Sequence, residues 1–150
     1  MPARKLDPRR LLAGLDAQRA ELGLPPWAGS LAIGSLGAAC TQAVLAAADA
    51  GKEPLREALR GAVLYTLDEL SRLAPGRAVE VRVPPFGAVQ AVEGPRHTRG
   101  TPANVVEIDP LSWVLIAAGR VKWAAAVGGG AVKASGPRSD LSGYLPLACT

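Results

Sequence analysis

The stretch that decides the fold runs from Glu53 to Pro85, EPLREALRGAVLYTLDELSRLAPGRAVEVRVPP. In its first part, Leu55, Leu59, Ala62, Val63, Thr66, Leu67, Leu70 and Leu73 recur at three- and four-residue steps. Arg56, Glu57, Arg60, Asp68, Glu69 and Arg72 fall between them, so a helix over 53–74 presents one long apolar face. Pro54 suits its first turn, and Ala74-Pro75-Gly76 stops it. From Arg77 the period changes to two: Val79, Val81 and Val83 alternate with Glu80 and Arg82. That is a strand with one wet face. A helix and a strand that each carry an apolar side imply a sheet covered by helices.

Downstream, Phe86 to Val92 reads as a second strand, with Gly87 marking a bulge. Glu93 to Gly100 is a turn-rich basic loop, and residues 103–108 read as a third strand. Asp109-Pro110 is a helix start: a capping carboxylate, then a proline at the first helical position. A short helix with Trp113 and Ile116 follows, then another with Trp123 and Val127, closed by Gly128-Gly129-Gly130. Ala131 to Ser135 reads as a short strand, and Ser139 as the cap of a last turn carrying Tyr144. Upstream, residues 8–22 form an amphipathic helix ended by Gly23 and Pro25-Pro26, and a small-residue helix runs from about Ser35 to Ala50. Helices, then neighbouring strands, then helices, a strand and a last turn argue an α+β fold with a largely antiparallel sheet. The organisation expected is a helical extension with a basic tail over 1–50 and an α+β domain over 51–150.

Composition closes off several function classes. Aromatic residues are 4% of the 150 residues, too few for a base-stacking surface, and no basic stripe interleaves them; nucleic-acid binding is not expected. One histidine, His97, and two cysteines, Cys40 and Cys149, cannot build a zinc site of the usual type, and no metal or cofactor is expected. Neither cysteine sits in a CxxC pair, which fits a reduced, cytoplasmic protein. The net charge of +4 sits mostly in the first ten residues, where Arg4, Lys5, Arg9 and Arg10 outnumber Asp7. Such a tail is a solvated terminus or a weak contact with an anionic membrane surface. No charge occurs from Leu22 to Ala48, but prolines, glycines and alanines there lack the apolar content of a membrane span.

No catalytic set is apparent. His97 has Arg96 and Arg99 beside it and no carboxylate nearby to orient it. Glu107 and Asp109 share a strand face, but Asp109 serves as a cap. The triple glycine leads from helix to strand, the reverse of a phosphate loop. On pattern alone, the apolar residues Phe86, Val106, Trp113, Ile116, Trp123, Val127 and Tyr144 read as core.

The runs VEVRVPPFGAVQAVEGPRHTRGTPANVVEIDPLSWVLIAAGRVKW and AVKASGPRSDLSGYLPL resemble the small bacterial sterol carrier proteins. They are also similar to the domain that follows the metal-binding part of thiol-dependent maleylpyruvate isomerases. The resemblance spans about residues 55–147 and leaves the first fifty uncovered. It implies a sterol-carrier-like α+β fold: a mainly antiparallel sheet of five strands, one more than the pattern gives, with helices packed over one face. It also implies an apolar cavity between sheet and helices that holds an acyl-type lipid without catalysis. The lining is then Phe86, Val106, Trp113, Ile116, Trp123, Val127 and Tyr144, with Arg96, His97 and Arg99 meeting an anionic head group. The isomerase's zinc ligands lie in a different domain, so the chain is not expected to be that enzyme. The alternative is a ligand-free interaction module that binds a protein partner through the uncharged segment Leu22 to Ala48.

Overall fold

The computed structural model describes residues 6–94 and 104–148. Three helices come first: α1 (Pro8–Glu21), α2 (Ile33–Asp49) and α3 (Arg56–Leu73). Strands β1 (Val79–Val83), β2 (Gly87–Ala91) and β3 (Val105–Ile108) follow, then helices α4 (Pro110–Ala117) and α5 (Trp123–Gly128). Strand β4 (Val132–Ser135) and a single 3-10 turn (Ser142–Tyr144) end the described chain. The anticipated order of elements therefore stands.

Local chemistry explains the helix ends. Asp7 caps α1 by accepting the Arg9 amide at 3.1 Å, with Pro8 in the first turn. Gly23, at φ +73°, turns the chain out of α1 in a conformation that costs glycine little. Asp109 caps α4 by accepting the Ser112 amide at 3.1 Å. Helix α3 starts later than the proline pattern suggested. The Leu55 amide donates to Oε1 of the buried Gln18 on α1 at 2.7 Å, so Leu55 stays extended as the cap and Pro54 lies outside the helix. The last turn is also organised differently from the expectation. The cap position falls on Leu141, Asp140 just before it accepts the Ser142 amide at 2.9 Å, and the Ser139 hydroxyl donates back to the Gly136 carbonyl.

The sheet has the order β2-β1-β3-β4. Its two outer pairings are antiparallel and the central pairing, β1 with β3, is parallel. The fold is α+β, with a mixed sheet of four strands among the described residues. Gly87 makes no bulge: it pairs in register with Val83, and a Cβ there would stand 3.0 Å from the Leu64 side chain. The glycine makes room for α3 to lie on the strand.

Val79, Val81, Val83, Val106 and Ile108 turn to the helices and are buried. The other face is polar, and its charges alternate across the strands: Arg82 stands opposite Glu107, and Glu107 opposite Lys133. Helix α3 separates the sheet from α1 and α2. Every residue from Gly61 to Leu67 is buried, because α3 is packed on both sides. One continuous hydrophobic core reaches from Leu11 and Leu15 through Leu36 and Val63 to Val106 and Trp113.

Candidate functional site

The sequence-predicted lining residues divide into two groups. Phe86, Val106, Trp113 and Ile116 are brought together inside the core, each nearly or fully buried. Trp113 is the anchor. Its indole Nε1 donates to the Thr66 hydroxyl at 2.8 Å, and that hydroxyl donates back to the Ala62 carbonyl at 2.7 Å. A buried indole N–H needs a partner, and Thr66 on the sheet-facing helix supplies it. Phe86 lies beneath the Arg56 guanidinium, 5.0 Å from the ring centroid. The second group sits farther out. Trp123 is half-buried against the core, while Val127 and Tyr144 are exposed. Arg96, His97 and Arg99, the predicted head-group residues, lie outside the described residues, as do Arg4, Lys5 and Cys149.

Of the tail cations, Arg10 makes a bidentate ion pair with Glu57, both contacts at 2.9 Å, and so pins α1 to α3. Arg120 donates from Nη1 to both oxygens of Asp49, at 2.8 and 2.9 Å, tying the α4–α5 connection to the end of α2. Arg9 is exposed. Among the described residues no helix is long and apolar enough to cross a membrane. Among them, too, no cluster of three or more His, Cys, Asp or Glu side chains could hold a metal ion. The Cys40 thiol is buried between the first three helices, 3.6 Å from the Leu11 carbonyl, and burial pushes its pKa up to about 12.

An open groove of about 750 Å³ lies elsewhere, between the end of α1, the 22–32 connection and the outer side of α2. Leu22, Leu24 and Trp27 form one wall, and Ala39, Ala43 and Ala46 the other. Trp27 is held on three sides. Its amide donates to Asp16 Oδ1 at 2.7 Å, its Nε1 donates to the Ser30 carbonyl at 3.0 Å, and the Arg19 guanidinium makes a cation–π contact 5.8 Å from the ring centroid. Gly29 passes so close beneath the indole that any side chain there would run into the ring. Arg19 is in turn fixed by donating from Nε to the Pro25 carbonyl at 2.7 Å. Leu24 on the groove wall is exposed, and beyond the groove so are Leu31 and Ile33.

Apart from Arg19, the groove lies within the uncharged segment Leu22 to Ala48, which the sequence offers as a partner surface only in the alternative reading. Only one side of α2 packs closely: Leu36, Cys40, Val44 and Ala47 are sealed, while Ala39 and Ala46 face the groove. The available signal was a tryptophan in a Pro/Gly-rich connection beside a helix whose small side chains cannot fill the space next to it.

Comparison with known proteins bears on the segment from α3 onward. The family described as bacterial SCP ortholog, SCP standing for sterol carrier protein, matches residues 55–147. The chain belongs to that family. The SCP segment thus holds α3, the sheet, α4 and α5, together with all the predicted lining and head-group residues. Helices α1 and α2 and the groove precede it. No curated protein matches the chain.

Proposed function

We propose that this chain binds an acyl-type lipid, or a similar apolar small molecule, without covalent chemistry in the cytoplasm. The reading is carried by membership of the SCP family over residues 55–147, a segment that sets an apolar sheet face against helices α3 and α4. Phe86, Val106, Trp113 and Ile116 form the inner lining, and Trp123, Val127 and Tyr144 its outer rim. Arg96, His97 and Arg99 meet the head group. The inner residues are tightly packed, so the chain opens to admit its ligand.

Helix α5 is the natural gate. It is six residues long, and only Ala126 of it is buried. Segments with few buried contacts open at the lowest free-energy cost. The binding proposed is non-catalytic. Cys40 is enclosed and held protonated, and the Arg10–Glu57 and Arg120–Asp49 pairs are exposed links between elements.

Native mass spectrometry of freshly purified protein, followed by organic extraction, tests the reading. A co-purified lipid of defined mass, or saturable binding of added fatty acid, is the expected result. A protein that carries no lipid and binds no added fatty acid overturns it.

A further inference from the structure

We infer that the groove between α1 and α2 is a second binding site, one that takes a single-chain amphiphile with an anionic head: a long-chain carboxylate. It lies outside the segment that matches the SCP family and shares no residue with the lining described above. The inference rests on the proposed function only for the class of ligand.

The groove volume of about 750 Å³ falls within the range of small-molecule sites, roughly 300–1,000 Å³. Its walls are apolar or small apart from Gln42, and Arg19 is the one charged side chain among the lining residues described. One cation at the edge of an uncharged groove complements a ligand with one negative charge and an apolar body. Arg19 is also pre-positioned. Its Nε is committed to the Pro25 carbonyl, and its guanidinium carbon lies 5.8 Å from the Trp27 ring centroid. The two terminal nitrogens of the guanidinium remain as the fork that suits a carboxylate. Asp16, the nearest acid along the α1 face, has one oxygen engaged by the Trp27 amide. Trp27 supplies a rigid apolar wall at low entropy cost because its backbone and indole N–H groups are already bonded. A protein segment is the weaker occupant: the groove has the volume of a small-molecule site, about 750 Å³, and a single charge, whereas a docking helix needs a long trough with anchors along it.

The test uses brominated palmitate, whose bromine quenches tryptophan fluorescence on contact, with palmityl alcohol as the uncharged comparison. The full chain is expected to bind brominated palmitate with a quenching component from the groove that is lost in Trp27→Phe, while any component from Trp113 and Trp123 remains. Arg19→Gln is expected to weaken palmitate binding about ten-fold while leaving palmityl alcohol unaffected. Arg19→Lys should restore part of the loss. Ala39→Phe fills the groove and should abolish binding there. Should that variant fold poorly by circular dichroism, Ala46→Leu on the exposed side of the same wall serves instead.

Equal quenching in wild type and Trp27→Phe, with Arg19→Gln unchanged, would put the lipid elsewhere. That would overturn the groove assignment and leave the SCP-segment reading standing. Equal affinity for palmitate and its alcohol would overturn the carboxylate assignment. No binding of either probe to the wild-type chain would overturn the groove assignment and count against the SCP-segment reading as well. Self-association that Ala39→Phe abolishes would give the groove to a second copy of the chain and overturn the assignment.

Discussion

Two tryptophans show how differently the two sides of this molecule are finished. Trp113 is wholly enclosed, and its one polar atom is bonded to Thr66 inside the core. Trp27 is half-buried at the mouth of a groove, and its contacts are made at the surface with Asp16, Ser30 and Arg19. The difference comes from what faces each ring. Trp113 meets helices with large apolar side chains and a threonine placed to take its N–H. Trp27 meets a helix wall of alanines, which cannot reach across the space. Large neighbours close a site, and small ones leave it open.

The sharpest way to break this comparison is to delete both rings. Trp113→Ala should cost about 3–5 kcal/mol of stability, since it opens a cavity in a sealed core and strands the Thr66 hydroxyl's acceptor side. Trp27→Ala should cost less than half as much in the same urea titration. Equal losses would mean that the groove is part of the core.

The exposed first turn of α2 and its buried second turn offer the next contrast. A Cβ at Gly37 would run into the Tyr65 ring, whereas nothing stands within 4 Å of one at Gly34. Gly37→Ala should destabilise by about 1–3 kcal/mol through overpacking. Gly34→Ala should be neutral or stabilise by up to about 1 kcal/mol, because it removes freedom from the unfolded chain. Differential scanning calorimetry of the two variants separates them.

A smaller effect sharpens the closed side. Burial holds the Cys40 thiol protonated up to about pH 12, whereas the unfolded chain releases that proton at the ordinary thiol pKa. Its contribution is therefore complete below the ordinary value and is lost as the pH rises from there toward about 12. In a Cys149→Ser background, Cys40 should stay unreactive toward a thiol reagent until the protein unfolds. Cys40→Ala should remove this part of the alkaline loss of stability.

The smallest effect belongs to the surface link between α1 and α3. The Arg10 guanidinium holds the Glu57 carboxyl below the usual carboxylate range. The pair thus helps above that range and stops helping as the pH falls through the lowered pKa. Glu57→Gln should lower the melting temperature only slightly, and the difference should vanish in high salt.

Legibility in the sequence followed the range of the causes. The α3 face, the β1 alternation and the Asp109-Pro110 start are local, and all were readable. The parallel pairing of β1 with β3 was not, because alternation marks a strand and carries no direction. Pro54 misled because the Leu55 amide is claimed by Gln18, 37 residues earlier in the chain. Family membership was readable from the runs around Phe86 and Trp113. The groove was missed because alanine has two uses, close approach on one side of α2 and empty space on the other, and only the third dimension separates them.

The parallel centre of the sheet has a consequence for how the chain acquires its structure. The β1–β2 hairpin joins near neighbours along the chain, and such contacts form quickly. The β1–β3 pairing spans a longer loop, with the whole of β2 in between, and must await its closure. Until β3 arrives, β1 offers an unpaired edge of Val79, Val81 and Val83 to any other nascent copy. Dilute, slow refolding should therefore recover more native protein than rapid refolding at high concentration.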